Sequence, residues 1–280
     1  MLVGMKKICE IAKENHFGVP ALFASNEHSF KAAIKSAEVK NSPLIVLANY
    51  GMIGDIDLFG KIAIELAKDS AVPVSIILDH GQNFEEAVKA VRAGFTDVMI
   101  DKSSCPFEEN LAEVKKVVEM AHSVGVGVEA EFGHVGQGDN YAVDGHQAFT
   151  VPSEAKRFVE ESGCDYLAVA IGTAHGVYKG VPEIHFDLLQ ELRITLDIPM
   201  VLHGGSGTGD ENLSRACREG ICKVNLANDL YRSAANELIN SDISGSNAYY
   251  IYETLEKGYV KSATHYMDVC GSADKKGLYL

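Results

Sequence analysis

Short apolar runs alternate with longer amphipathic stretches along nearly the whole chain. The runs at Val19–Phe23, Pro43–Ala48, Val74–Leu78, Thr96–Ile100, Val126–Glu131, Tyr166–Ala170, Met200–Leu202 and Ile221–Val224 are near-continuous in hydrophobicity, as strands covered on both faces are. Between them, Ser29–Val39, Ile56–Lys68, Phe84–Ala93, Glu108–His122, Glu154–Glu161, Phe186–Leu196 and Asn212–Glu219 read as helices with one apolar face. Eight such strand–helix units in about 250 residues match an α/β fold of the (β/α)8 TIM-barrel type in number and length. A doubly wound open sheet uses the same alternation, but no GxGxxG follows the first strand. The closed barrel is therefore the expected fold.

The longest strand-free interval, Phe132–Pro152, is rich in Gly, Asp and Asn and is expected to be a mobile active-site loop. After Asn228 the helical pattern continues through SDISGSNAYY to a terminal helix ending near Cys270. Residues 241–280 thus extend a single domain spanning residues 1–280, and offer material for a homodimer or homotetramer contact. The tail GSADKKGLYL is expected to fray.

Composition narrows the function classes. Hydrophobic residues at 46% and charged residues at 23% are ordinary for a globular enzyme of 280 residues. A net charge of −14 argues against nucleic-acid binding, which needs clustered cations. No apolar run is long enough to span a membrane, and the N-terminal stretch lacks a signal-peptide core, with Glu10 and Glu14 against a transit peptide. Six scattered cysteines (Cys9, Cys105, Cys164, Cys217, Cys222, Cys270) without CxxC spacing suit free thiols in a reducing cytoplasm.

Three of the ten histidines stand at the carboxyl ends of apolar runs: His80 in VSIILDHG, His175 in YLAVAIGTAHG and His203 in PMVLHGGSG. Barrel enzymes place their chemistry on that rim, and three imidazoles delivered there make an open zinc site with a coordination position left for substrate. Asp79 arrives beside the first of them, its carboxylate pointing the other way along the strand, within reach of a substrate proton. His134 lies in the long loop; His16, His28, His122, His146, His185 and His265 lack this placement. The glycines of HGGSGTGD free the amides of Gly204, Gly205, Ser206 and Gly207 to point at an anion ahead of a helix N-terminus, and KVNLAND follows the eighth strand. The loops after strands seven and eight are the usual phosphate site of this barrel. Asp101 and Glu131, ending strands four and five, read as carboxylates hydrogen-bonded to barrel amides or lysines, as a second cation position, or as support for the histidines. No lysine is read at the centre of an apolar strand, so a Schiff-base route is not expected.

The strings LDHGQNFEEAVKAVRAGFTDVMID, PFEEN, VEAEFG, LAVAIGTAHGVYKG, PMVLHGGSG and ICKVN resemble those of the class II, zinc-dependent ketose-bisphosphate aldolases, which include the fructose- and tagatose-bisphosphate enzymes. The resemblance runs from about Lys6 to the GSADK tail. It implies one catalytic Zn2+ on His80, His175 and His203, with Asp101 and Glu131 matching a second divalent or monovalent site. It implies Asp79 as the proton donor to the aldehyde-derived oxygen. The phosphate of dihydroxyacetone phosphate is then held by Gly176, by Gly204, Gly205 and Ser206, and by Asn225, Leu226, Ala227 and Asn228. A small-molecule sugar phosphate is the implied substrate, by default fructose or tagatose 1,6-bisphosphate.

Departures fall on one half of the site. The family's loop glutamate base falls on Asp139, one methylene shorter; a first-strand asparagine falls on Phe23, a serine after strand two on Asn49, and a phosphate-site threonine on Asn228. The segment whose arginine grips the distal phosphate is replaced around Ser246 to Tyr249 by SGSNAYY, and losing such a charge-assisted pair costs a few kcal/mol. The metal and near-phosphate halves are thus expected intact, with the aldehyde half rebuilt for an acceptor other than glyceraldehyde 3-phosphate. An aldolase or epimerase acting on another sugar phosphate, and a non-catalytic sugar-phosphate-binding barrel, remain open readings of the same residues.

Overall fold

The computed structural model describes residues 1–136, 142–143, 146–147 and 149–279. Eight parallel strands close into a barrel in chain order: β1 (Val19–Phe23), β2 (Leu44–Asn49), β3 (Val74–Gly81), β4 (Asp97–Ile100), β5 (Gly127–Phe132), β6 (Tyr166–Val169), β7 (Met200–Leu202) and β8 (Ile221–Leu226), with β8 pairing back onto β1. The helices are α1 (Met5–Glu14), α2 (Glu27–Val39), α3 (Ile56–Asp69), α4 (Phe84–Arg92), α5 (Phe107–His122), α6 (Pro152–Ser162), α7 (Phe186–Thr195), α8 (Asp210–Glu219), α9 (Asn228–Ile239) and α10 (Ile251–Cys270). The expected closed barrel with added C-terminal helices is the fold observed.

Strand pleating sorts the side chains. Val19, Ala21, Phe23, Ile45, Leu47, Ile77, Met99, Tyr166, Ala168 and Val201 fill the inside of the barrel. Their alternate neighbours, such as Leu22, Val46, Ile76, Leu78, Val98, Leu167 and Leu202, pack outward against the helices. Because both faces are covered, the runs look continuously apolar in sequence.

Three expectations need correcting. First, α1 was absent from the helices expected, yet Met5, Ile8, Cys9 and Ala12 are fully buried at helical spacing and belong to the cluster inside the barrel. The Met5 amide donates to Asp97 Oδ2 at 2.8 Å, fastening the helix to the start of β4 as a stopper in the amino end. Second, the tail is docked rather than frayed. Asp274 and Lys276 amides donate to Lys40 and Asn41 carbonyls at 2.8 Å, and Tyr279, 5% exposed, donates its hydroxyl to the Ile8 carbonyl. Third, a lysine does occupy an apolar strand: Lys223 of β8 is fully buried inside the barrel, its ammonium donating to both carboxylate oxygens of Glu129 at 2.8 and 3.1 Å. Held against Glu129 in this way, it points away from the cavity and does not serve as a Schiff-base nucleophile.

The expected mobile loop lies partly outside the described residues, and Asp139 wholly so; residues 142–143 and 146–147 pair as a short antiparallel ladder. All six cysteines are free thiols, and no helix among the described residues is long and apolar enough to cross a membrane.

Candidate active site

His203 follows the inward-facing Val201 by one pleat and so enters the barrel mouth directly. Pleating alone would send His80 outward with Ile76 and Leu78. Instead β3 carries an extra residue against β4 between Leu78 and Gly81, and His80 adopts a left-handed φ of +50°. That bulge turns His80 back over the mouth without reversing Asp79, so consecutive residues serve one site. Histidine tolerates the left-handed region better than most residues, yet the conformation still costs on the order of 1 kcal/mol. His175 lies beyond β6, its amide donating to the Gly136 carbonyl at 2.8 Å.

The three rings converge. Nε2 of His80 lies 3.1 Å from Nε2 of His175 and 3.1 Å from Nδ1 of His203. Two nitrogens about 2.0–2.1 Å from one tetrahedral ion stand roughly 3.3 Å apart, so the donor set suits zinc in number, chemistry and spacing. Each remaining ring nitrogen has its own acceptor: Asp101 Oδ2 for His80 at 2.8 Å, the Val135 carbonyl for His175 at 3.3 Å, and Glu129 Oε1 for His203 at 2.9 Å. Histidines that ligate metals are held in this way, since the outer bond fixes tautomer and ring plane.

Electrostatics favour positive charge at this point. Burial opposes ionisation of His80, but Asp79, the hydrogen bond with Asp101 and nearby Glu131 outweigh it and hold the group up to about 10. Burial and the His80 charge push His175 down to about 4, and burial pushes His203 well below the ordinary imidazole value. Glu131 is pushed up to about 8 by burial and then by Asp101, and its Oε2 is buried without a hydrogen-bond partner. Asp101 is held below the usual carboxylate range by its hydrogen bond to His80 and the charge there, which together overcome burial. His175 and His203 are thus held neutral, and the carboxylates that hold a proton on His80 would equally favour a divalent cation there in its place. His80, Asp101 and Glu131 form a second, overlapping donor group. His134 joins this network through the Ser103 hydroxyl, 2.9 Å from its Nδ1.

A cavity of about 550 Å³ opens beside the histidines. Asp79 and His175 line it together with the expected Gly176, Gly204, Ser206, Asn225, Leu226, Ala227, Asn228 and Asn49. Gly204 must be glycine: its φ is +69°, and a Cβ there would meet the Ala174 carbonyl oxygen at 2.1 Å. Two of the four loop amides are already engaged, Gly205 with the Asn225 carbonyl at 3.0 Å and Gly207 with Asp229 Oδ2 at 2.9 Å. Asp79 Oδ1 accepts from Asn225 Nδ2 at 3.0 Å, while Asn225 Oδ1 has no partner. Phe23, Leu47, Met52 and Tyr231 complete the wall as apolar or aromatic surface.

Comparison with known proteins agrees with this geometry. The profile of the family described as fructose-bisphosphate aldolase class-II matches residues 3–275. The chain belongs to this class II aldolase family. A fructose-bisphosphate aldolase of Helicobacter pylori strain J99 is 38% identical over 306 aligned positions, covering 98% of this chain and all of that one. The YdjI aldolase of Escherichia coli K12 superposes with a TM-score of 0.90 at 29% identity, covering 99% of this chain and all of that structure. The fructose-bisphosphate aldolase of Campylobacter jejuni, at 21% identity and a TM-score of 0.80, shares the fold over 98% of this chain and 97% of its own. As a class II aldolase the chain is a lyase, and the family is typically zinc-dependent and uses sugar phosphates. Glu129 and Lys223, which stand behind His203, are the residues around these histidines that sequence reasoning missed. The only available signal was the alternation in VEAEF, which puts Glu129 on the same strand face as Glu131.

Proposed function

We propose that this aldolase reversibly cleaves a ketose phosphate to dihydroxyacetone phosphate and an aldehyde, with zinc held by His80, His175 and His203. What carries the reading is that each of the three converging imidazoles has its outer nitrogen bonded to a carboxylate or carbonyl. The bound ion supplies Lewis-acid stabilisation of the negative charge left on the triose half when the carbon–carbon bond breaks.

The chain's own groups do the rest. Asp79, steadied by Asn225, takes the proton of the C4 hydroxyl on cleavage and returns it on condensation. The C3–C4 bond breaks, its electron pair stays with C3, and C4 leaves as the aldehyde. Asp139 is the carboxylate assigned to the proton that then reaches C3. The unpartnered Oδ1 of Asn225 is an acceptor for a hydroxyl of the triose. The phosphate lies against Gly176, Gly204 and Ser206 and the N-terminus of α9 at Asn228, where free amides and the helix dipole favour an anion. Asp101 and Glu131 act as orienting carboxylates, with the overlapping donor group offering a second cation position. A cytoplasmic setting and assembly as a homodimer or homotetramer belong to the same proposal; Tyr249, Tyr250 and Tyr252 are exposed and available for a second copy to cover.

The test is Asp79→Asn in an assay for dihydroxyacetone phosphate release, with metal content measured in parallel. Turnover is expected to fall by about 10²–10⁴-fold with zinc retained. Undiminished turnover would refute the role of Asp79.

A further inference from the structure

We propose that the ketose cleaved here carries one phosphate only, and that its other end, which leaves as the aldehyde, is uncharged and apolar. A 6-deoxyhexulose 1-phosphate, yielding dihydroxyacetone phosphate and lactaldehyde, is the simplest member of that class. This rests on the aldolase reading above and deepens it.

Strand order fixes the orientation. The phosphate loops follow β6, β7 and β8, and the barrel closes from β8 onto β1 and then β2. A sugar anchored by its phosphate at Gly204, Ser206 and Asn228, with its C4 hydroxyl at Asp79 on β3, must lay its far carbons across the mouths of β1 and β2. There the wall is Phe23, Leu47 and Met52, backed by Tyr231. Phe23 is held firmly: its ring lies 5.7 Å from that of Tyr231, and Tyr259 donates its hydroxyl to the Phe23 carbonyl at 2.9 Å.

The polar groups at this end are uncharged, and each already has a partner within the protein. Asn49 Nδ2 donates to the Asp79 carbonyl at 3.2 Å and its Oδ1 accepts from the Gly51 amide at 3.1 Å. The hydroxyl of Ser25 lies 3.0 Å from that of Tyr231. Among the described residues, no lysine or arginine lines the cavity. Lys89, which reaches this side through the Tyr50 hydroxyl at 3.0 Å, is ion-paired with Glu85. The sequence of residues 137–148 contains no Lys or Arg and two aspartates, and the helical turn Gly245–Tyr250 also holds no cation. A second phosphate would therefore lose water at an apolar wall, in a chain of net charge −14, without a compensating partner. A terminal methyl group gains contact there instead.

The experiment uses zinc-loaded wild-type enzyme and measures release of dihydroxyacetone phosphate from three compounds in each of the fructose and tagatose series. These are the 6-deoxy 1-phosphate, the 1-phosphate and the 1,6-bisphosphate. The expected kcat/KM is at least tenfold higher for a 6-deoxy 1-phosphate than for either bisphosphate, with lactaldehyde as the second product. Phe23→Asn is expected to erase the preference for the deoxy compound over the hydroxyl-ended 1-phosphate while zinc content stays equal. Bisphosphates cleaved as well as or better than the monophosphates would overturn this inference and leave the aldolase reading standing. Release from none of the six would overturn both.

Discussion

Glu129 shows how much one buried side chain can govern a site it does not line. Its carboxylate joins Lys223 to the outer nitrogen of His203, so Nδ1 of that ring is left facing the other two imidazoles. Glu129→Gln keeps the shape but offers an amide where an anion stood. The expected result is a 10–100-fold weaker zinc affinity, read by chelator competition. Unchanged affinity would mean that Glu129 serves the barrel core alone. At this scale legibility varied with contrast. Asp79, His80 and His203 are polar residues closing apolar runs, and they stand out in the sequence. Glu129 and Lys223 lie inside runs on strands that pair with different neighbours, and only the closed barrel brings them together. The left-handed turn at His80 leaves no mark in composition, since histidine occupies it without a glycine to signal the need.

At the scale of elements, strand positions were readable because a strand covered on both faces is apolar throughout. Their carboxyl ends were less so: β3 and β8 run on through Gly81 and Leu226, where polar site residues break the apolar pattern. The stopper α1 escaped notice because lysines and glutamates surround its four buried positions. Its attachment is open to a pH measurement. Asp97, 1% exposed and accepting from the Met5 amide and the Tyr166 hydroxyl, is pushed by burial up to about 6 from an ordinary 3.8. A carboxyl group whose folded value exceeds its unfolded one binds its proton more tightly in the folded state. Its contribution is therefore complete below about pH 4 and declines as the pH rises towards 6. Relative to Asp97→Asn, wild-type stability is expected to drop by on the order of 3 kcal/mol between those limits, followed by denaturant unfolding at each pH. A gap independent of pH would show that Asp97 ionises normally.

For the whole molecule, zinc at the proposed site would act as a ligand of the fold as well as a Lewis acid in the reaction. A group that binds only the folded chain adds about 4 kcal/mol of stability when present at a thousand times its dissociation constant. Removing zinc with a chelator is expected to lower the melting temperature and abolish turnover together, and restoring zinc to recover both. Loss of turnover with no thermal shift would mean that the histidines hold the ion too weakly to matter to the fold.

The helix that stoppers the amino end also governs traffic. With that end filled by Met5, Ile8 and their neighbours, the proposed reaction would take in its sugar and release both products through the same opening. In the proposed reaction the triose lies nearer the metal and the aldehyde nearer the rim of β1 and β2, so departure would be ordered, aldehyde first. Accumulated dihydroxyacetone phosphate would then block the doorway to the next sugar.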